Sequence, residues 1–379
     1  MSRSQSDEGA GEGLQGGRAV TCRAEHARGE AAGDIAGSRC ASAGPVVADA
    51  ATGKAAVGVD VGGTKVACGL VDMTGAVLER RRVAIDAGDP TGMHPLEQVA
   101  AMVRQLADEA RDVGLAVAGC GVAVPAVVER SCGRVVWAPN IAGWRDFPLG
   151  KLLQARTGLP VFVDHDGPAA VMGEQWAGAA RGCAHAVLLI IGTGVGAGFI
   201  LDGRVYRGAR GIAGAVGWSC LEPGAVEDPA YREKGFLETV AAGPGIARQV
   251  REKVARGESS LALELAGGDI QAITAEVVFA AAEGGDEVAR QVIARAVRYI
   301  GMAVSNLVST FNPEVVVLGG GVGRRLGLYL GEVRRIVDAT AQPQAAPVAR
   351  VACAELGDDA GVIGAARMAM EALGLTRPG

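Results

Sequence analysis

The stretch Val187-Leu-Leu-Ile-Ile-Gly-Thr-Gly-Val-Gly-Ala-Gly198 constrains this chain more than any other. Residues 187–191 form an apolar run the length of a buried strand, and it ends in a loop where glycine alternates with other residues. Glycine in such a loop lets backbone N–H groups line a concavity and admits phosphate oxygens without interference from a Cβ. Loops of this kind also close plain hairpins, so one copy decides little. A second copy adds weight. Val57-Gly-Val-Asp-Val-Gly-Gly-Thr-Lys65 is again a short β-branched strand with a glycine turn, now carrying an acid, a hydroxyl and a lysine. Two such units, far apart in sequence, point to two halves facing one nucleotide.

The 379 residues are enough for one large or two medium cores. Hydrophobic residues make up 49% and aromatics only 4%, so the core is aliphatic. A net charge of −5 argues against general nucleic-acid binding. The eight cysteines contain no CxxC pair, and a chain so rich in apolar residues has no need of a disulfide framework. No apolar run approaches the roughly 20 residues of a membrane span, and no apolar block near the start reads as a secretory signal. The expectation is a cytoplasmic protein without membrane or nucleic-acid partners.

Residues 1–54 are rich in Gly, Ala, Ser, Arg and Glu without apolar periodicity. They read as a disordered leader, and they lack the two amphipathic helices of a helix-turn-helix. From residue 55 strands are expected at 57–60, 66–72 and 77–84, then a helix at 94–113 and a strand at 118–124. A helix at 148–157 and a strand at 161–163 follow. The second half restarts with strands at 186–191 and 197–201, joined onward by a hairpin turn at Asp202-Gly203. Helices are expected within 236–254, 274–284 and 286–310, strands at 315–318 and 349–354, and a closing helix. Alternating strands and helices mean α/β. The expected division is an N-terminal α/β domain at 55–170 and a C-terminal α/β domain at 171–379.

Six segments carry a family resemblance: Asp60-Val-Gly-Gly-Thr-Lys65, Ala138-Pro-Asn-Ile-Ala-Gly-Trp144, Val163-Asp-His-Asp-Gly-Pro-Ala-Ala170, Gly192-Thr-Gly-Val-Gly196, Gly235-Phe-Leu-Glu238 and Val316-Val-Leu-Gly-Gly-Gly321. In this order they resemble the ROK family of bacterial glucokinases, N-acylhexosamine kinases and sugar-responsive repressors. The resemblance implies the duplicated, actin-like (ribonuclease H-like) two-domain ATPase fold. It further implies ATP with magnesium, a sugar or sugar-like substrate, and a homodimer. Phosphoryl transfer needs mainly positioning and charge neutralisation. Gly62, Gly63, Thr64 and Lys65 would cradle the terminal phosphates, and Asp60 would orient magnesium through water. Gly192, Thr193 and Gly194 would face them, and Gly319, Gly320 and Gly321 would border the adenosine. Asp166 would be the general base. A bland reading of Asp166, as a helix-capping loop aspartate, stays open.

The chain departs from the family at the sugar. Where relatives read E-x-G-H, it has Ala215-Val-Gly-Trp218; the asparagine before the catalytic aspartate is His165, and the glycine of G-x-P-G is Ala126. The cysteines of the family's zinc motif align with Pro229, Tyr231 and Phe236, so no zinc is expected. Asn140 and Glu238 remain as substrate contacts beside His165, and Trp218 could offer a stacking face. Three readings follow. The first is an ATP-dependent kinase for a primary hydroxyl of a hexose or a hexose-like compound such as a C7-cyclitol. The second is a glucokinase with a rebuilt pocket. The third is a catalytically weak sugar-binding regulator without a DNA-binding domain.

Overall fold

A computed structural model describes residues 53–376. The expected leader at 1–54 therefore lies outside the described residues as far as 52, and Lys54 already opens the first strand.

The first sheet is built from β1 (Lys54–Val61), β2 (Lys65–Asp72) and β3 (Val77–Ala84), an antiparallel meander. Helix α1 (Met93–Asp112) crosses to β4 (Ala116–Val124), which pairs parallel to β1. A small antiparallel sheet follows, β5 (Val127–Glu129), β6 (Arg134–Trp137) and β7 (Arg145–Phe147). This sheet was not expected, because strands of three or four residues are too short to establish a period. Then come α2 (Leu149–Thr157), β8 (Val161–His165) parallel to β4, and α3 (Asp166–Ala177).

The second sheet repeats the plan with β9 (Ala186–Ile191), β10 (Val195–Leu201) and β11 (Arg204–Tyr206). Asp202 and Gly203 turn the chain between β10 and β11 at φ 52° and 71°, the positive values a two-residue hairpin requires. Helices α4 (Phe236–Ala241), α5 (Gly243–Ala255), α6 (Leu261–Leu265), α7 (Ala275–Glu283) and α8 (Glu287–Phe311) follow. The stretch 236–254, expected to be helical, holds two helices that part at Ala242, just before Gly243-Pro244-Gly245. The chain ends its regular structure with β12 (Val315–Gly319), α9 (Gly320–Arg325), α10 (Leu330–Thr340), β13 (Arg350–Cys353) and α11 (Ala360–Ala372).

The strand orders are β3-β2-β1-β4-β8 and β11-β10-β9-β12-β13, with antiparallel pairing on one side of the first strand and parallel pairing on the other in both. This is the duplicated α/β architecture of the actin-like ATPases. Alternation along the strands sends side chains to opposite layers. Val57, Val59 and Val61 pack with Leu96, Val99 and Leu153 of α1 and α2, whereas Ala56 packs with Val362 and Ala366 of α11. In the second sheet Val187, Leu189 and Ile191 meet the helices α4 to α8, and Leu188 meets Ala170 and Val171 of α3.

The inner helices α3 and α11 cross at very short range. A Cβ on Gly364 would lie 1.6 Å from the Ala169 carbonyl oxygen, so only glycine fits that crossing. Helix α11 thus belongs in space to the first sheet, and the boundary drawn at 170/171 falls inside α3. No described helix is long and apolar enough to cross a membrane.

Candidate active site

Between the two sheets lies a cavity of about 210 Å3. Asp60, Gly62 and Lys65 line it from the first sheet's opening turn, Asp166 from the start of α3, and Gly319 and Gly320 from the end of β12. From the sequence, Asp60, Gly62, Lys65, Gly319 and Gly320 were expected at a nucleotide site and Asp166 as the general base. Gly320 has φ 79°, and a side chain there would strike the Ile191 carbonyl oxygen at 2.4 Å. Gly63 and Thr64 complete the first turn, and Gly63 faces the exposed Asn140 side chain, 3.3 Å from where its own Cβ would be. Gly192, Thr193 and Gly194 form the corresponding turn of the second sheet, closed by the Gly192 N–H donating to the Gly194 carbonyl at 2.9 Å. Gly192 and Gly321 have open space where a Cβ would go.

Asp166 is the first residue of α3. Its Oδ1 accepts from the Gly167 N–H at 2.7 Å and stands 2.9 Å from His165 Nδ1. That Gly167 N–H lies 3.3 Å from Nδ1 as well, but Nδ1 cannot accept there while donating to Asp166. The shorter bond decides it, and Nδ1 carries the proton. Burial disfavours the charged imidazole, but the hydrogen bond to Asp166 and the charges of Asp166 and Asp164 outweigh this and raise the His165 pKa. Asp166 is half-buried, and its Oδ2 makes no hydrogen bond with any described residue. One oxygen is fixed and the other is available.

Asp60 sits at the end of β1 against Gly361. Desolvation, reinforced by the negative charge of Asp166, pushes its pKa up to about 7, against the opposing pull of Lys65. Lys65 itself rests 3.6 Å from Asp358, which also holds Arg82 at 3.3 Å and Arg324 at 3.0 Å. Asp358 and Arg82 line the cavity and were not singled out from the sequence. The only signal was the Gly357-Asp-Asp-Ala-Gly361 turn before the closing helix. The loop bearing Asp358 is anchored by Glu174, fully buried on α3, which accepts from the backbone N–H groups of Ala179, Glu355 and Leu356.

The residues expected at the sugar are less tightly gathered. Asn140, His165, Trp218 and Glu238 do not line the cavity itself. Asn140 borders it through Gly63 and His165 through Asp166. Glu238 accepts from the Val195 N–H at 2.9 Å and packs against Gly194 and Gly217, which ties it to the second turn. Trp218 is 55% exposed, with its backbone against Gly235. In the segment aligned with thiolates, the Tyr231 and Phe236 rings pack edge to face at 5.0 Å, and Phe236 packs likewise on Tyr299 at 4.8 Å. Among the described residues no group of three or more His, Cys, Asp or Glu is arranged to hold a metal.

A cleft between duplicated sheets, bordered by Gly62, Gly319 and Gly320, is the architecture of the actin-like ATPase fold. The sequence model of the ROK family matches residues 56–372, and the chain belongs to that family. A glucokinase of Halalkalibacterium halodurans is 36% identical over 309 residues, 81% of this chain and 92% of the relative. A putative xylose repressor of Caldicellulosiruptor sp. is 30% identical over 315 residues, 82% of this chain and 77% of the relative. The crystal structure of a ROK family glucokinase from Streptomyces griseus in complex with glucose and AMPPNP superposes with a TM-score of 0.70 at 30% identity. That match covers 84% of this chain and 99% of the other.

Proposed function

We propose that the protein is an ATP-dependent kinase that phosphorylates a primary hydroxyl of a hexose or hexose-like compound. One observation carries the reading: Asp166, with Oδ1 fixed and Oδ2 available, shares a cavity with Lys65, Asp60, Gly62, Gly319 and Gly320. Oδ2 would take the proton of the acceptor hydroxyl as its oxygen bonds to the γ-phosphorus and the bond to ADP breaks. His165 holds the carboxylate in place, and Lys65 would leave Asp358 to meet the phosphates. The N–H groups of Gly63, Thr64, Thr193 and Gly194 would line the phosphate path, those of Gly62 and Gly192 being bonded within their own turns, and Gly319 to Gly321 would border the adenosine. Magnesium keeps most of its waters and needs only one or two carboxylates, which suits Asp60 beside Asp166. It would neutralise phosphate charge there. The relatives named glucokinase and the S. griseus complex support nucleotide and sugar as the two substrates.

The acceptor is where the chain differs. Ala215 and Trp218 supply no hydroxyl-binding carboxylate or imidazole, and each missing hydrogen bond weakens a matched sugar by about 1–3 kcal/mol. This favours a substrate lacking part of the glucose hydroxyl pattern, of which a C7-cyclitol is one. The decisive measurement is ADP release with magnesium across glucose, N-acylhexosamines and cyclitols, using wild type and Asp166→Asn. The expected result is turnover with one of these classes, reduced about 10²–10⁴-fold in the variant with ATP affinity unchanged. Sugar binding without ADP release from any acceptor would favour the regulator instead. Full activity in Asp166→Asn would remove Asp166 as the base.

A further inference from the structure

Two adjoining cavities run along α3, β11 and α11 and share no lining residue with the nucleotide cleft. The larger, about 360 Å3, is lined by Arg130, Arg204, Arg207 and Glu371 among others; the second, about 280 Å3, by Trp176, Arg181 and Arg367. Gln175 and Gly203 line both, so the two form one groove. Five guanidinium groups therefore face a continuous hollow in a chain whose net charge is −5.

The carboxylates nearby do not neutralise them. Glu371 pairs with Arg367 at 2.7 Å. Asp164, 3% exposed, accepts from Arg207 Nε at 2.8 Å and is ion-paired with Arg207 Nη2 at 2.8 Å and Arg130 Nε at 3.0 Å, so one buried acid serves two cations. Asp202, on the hairpin turn, is almost fully exposed and lies 3.5 Å from His185. Arg204 is exposed and makes no ion pair with a described residue, and Arg181 donates to the Ala177 carbonyl. A planar guanidinium matches phosphate oxygens two at a time, and several around one hollow specify an anion of high charge density. The groove also offers the Trp176 ring, beneath Arg367 at 5.1 Å, and the Gln175 amide, whose Nε2 donates to the Cys183 carbonyl. Those groups suit the organic part of an ester rather than a bare anion.

We propose that this groove is a second ligand site, for a small phosphorylated metabolite about the size of a hexose phosphate, its phosphoryl group held by Arg130, Arg204 and Arg207. The site is wired to the catalytic segment. Arg130 and Arg207 hold Asp164, and Asp164 Oδ1 accepts from the His165 N–H, one residue before Asp166. The inference stands on the groove alone and does not require the kinase reading.

Titration calorimetry of the full chain with glucose 6-phosphate and with inorganic phosphate tests it without any turnover. Glucose 6-phosphate should bind with a Kd of about 1 mM or tighter, and at least about fivefold more tightly than phosphate. Arg204→Glu, at an exposed and unpaired position, should weaken it about tenfold or more, while Lys65→Ala leaves it unchanged. Absence of binding by either probe at about 10 mM overturns the site. Unchanged affinity in Arg204→Glu, or loss in Lys65→Ala, overturns it in favour of the cleft. Equal affinity for the two probes overturns the ester and leaves a bare anion site.

Discussion

The two sheets share strand order, pairing sense and a glycine turn after the first strand, yet only the first turn is charged. Its closing pair is Val61 with Val66; the second turn closes with Ile191 and Val195 and is one residue shorter. One residue before the closing pair stands Asp60 in the first sheet and Ile190 in the second. The first turn ends in Lys65, poised on Asp358, whereas the second is tied by the Val195 N–H to Glu238. The same backbone has thus been put to two uses. One copy offers N–H groups together with a cation and a carboxylate, and the other offers N–H groups and space.

Three changes would break or sharpen that contrast. The largest effect is expected from Lys65→Ala, which removes the charge peculiar to the first turn. ATP affinity should fall about 10–100-fold, the worth of a charge-assisted bond, as read by calorimetry with magnesium. If affinity holds, the charged turn is not the phosphate clamp and the contrast has no functional content. A smaller effect is expected from Gly192→Ala in the uncharged turn. Nothing lies within 4 Å of the new Cβ, so the melting temperature should stay within about 1 °C. The added methyl would nevertheless stand in the phosphate path and raise the KM for ATP about tenfold. Wild-type KM in this variant would show that the second turn does not touch nucleotide.

The smallest effect is on stability. Asp60 keeps its proton in the folded chain to about pH 7 but releases it near pH 4 when unfolded. Folding therefore takes up a proton in that window, and stability falls as pH rises from about 4 to 7 and then levels off. Asp60→Asn should melt about 2–4 °C above wild type at pH 8 and equal it near pH 4. This is well below what the full shift would give, because relaxation and water penetration around an ionising buried carboxylate relieve much of its desolvation penalty. A difference independent of pH would mean that Asp60 is not protonated in the folded chain.

Much of this architecture was legible in the sequence because it is local. The β-branched run before each glycine turn, the hairpin at Asp202-Gly203 and the apolar spacing of Leu96, Val99, Val103 and Leu106 each depend on a few neighbouring residues. What escaped is non-local. Asp358 joins Lys65 and Arg82 to Arg324 across the cleft, and no spacing in the chain encodes that meeting. Arg130, Asp164 and Arg207 come from three separate loops and strand ends. Identities at the turns could be read; partners across the fold could not. The linear division at 170/171 met the same limit, since periodicity in α11 marks a buried helix but not which sheet it covers.

The position of α11 has a consequence for how the protein is made. The inner face of the first sheet is closed by Val362, Ala365 and Ala366, whose backbone lies directly against Gly58 and Gly121. On the ribosome, β1 emerges long before the helix that covers it. Until residue 372 has left the exit tunnel, one face of the first-made half stays open to water and chaperones, while the second half can already gather α4 to α8. The order of synthesis and the order of consolidation therefore run in opposite directions, and a stop codon shortly before α11 would damage the beginning of the chain more than its end.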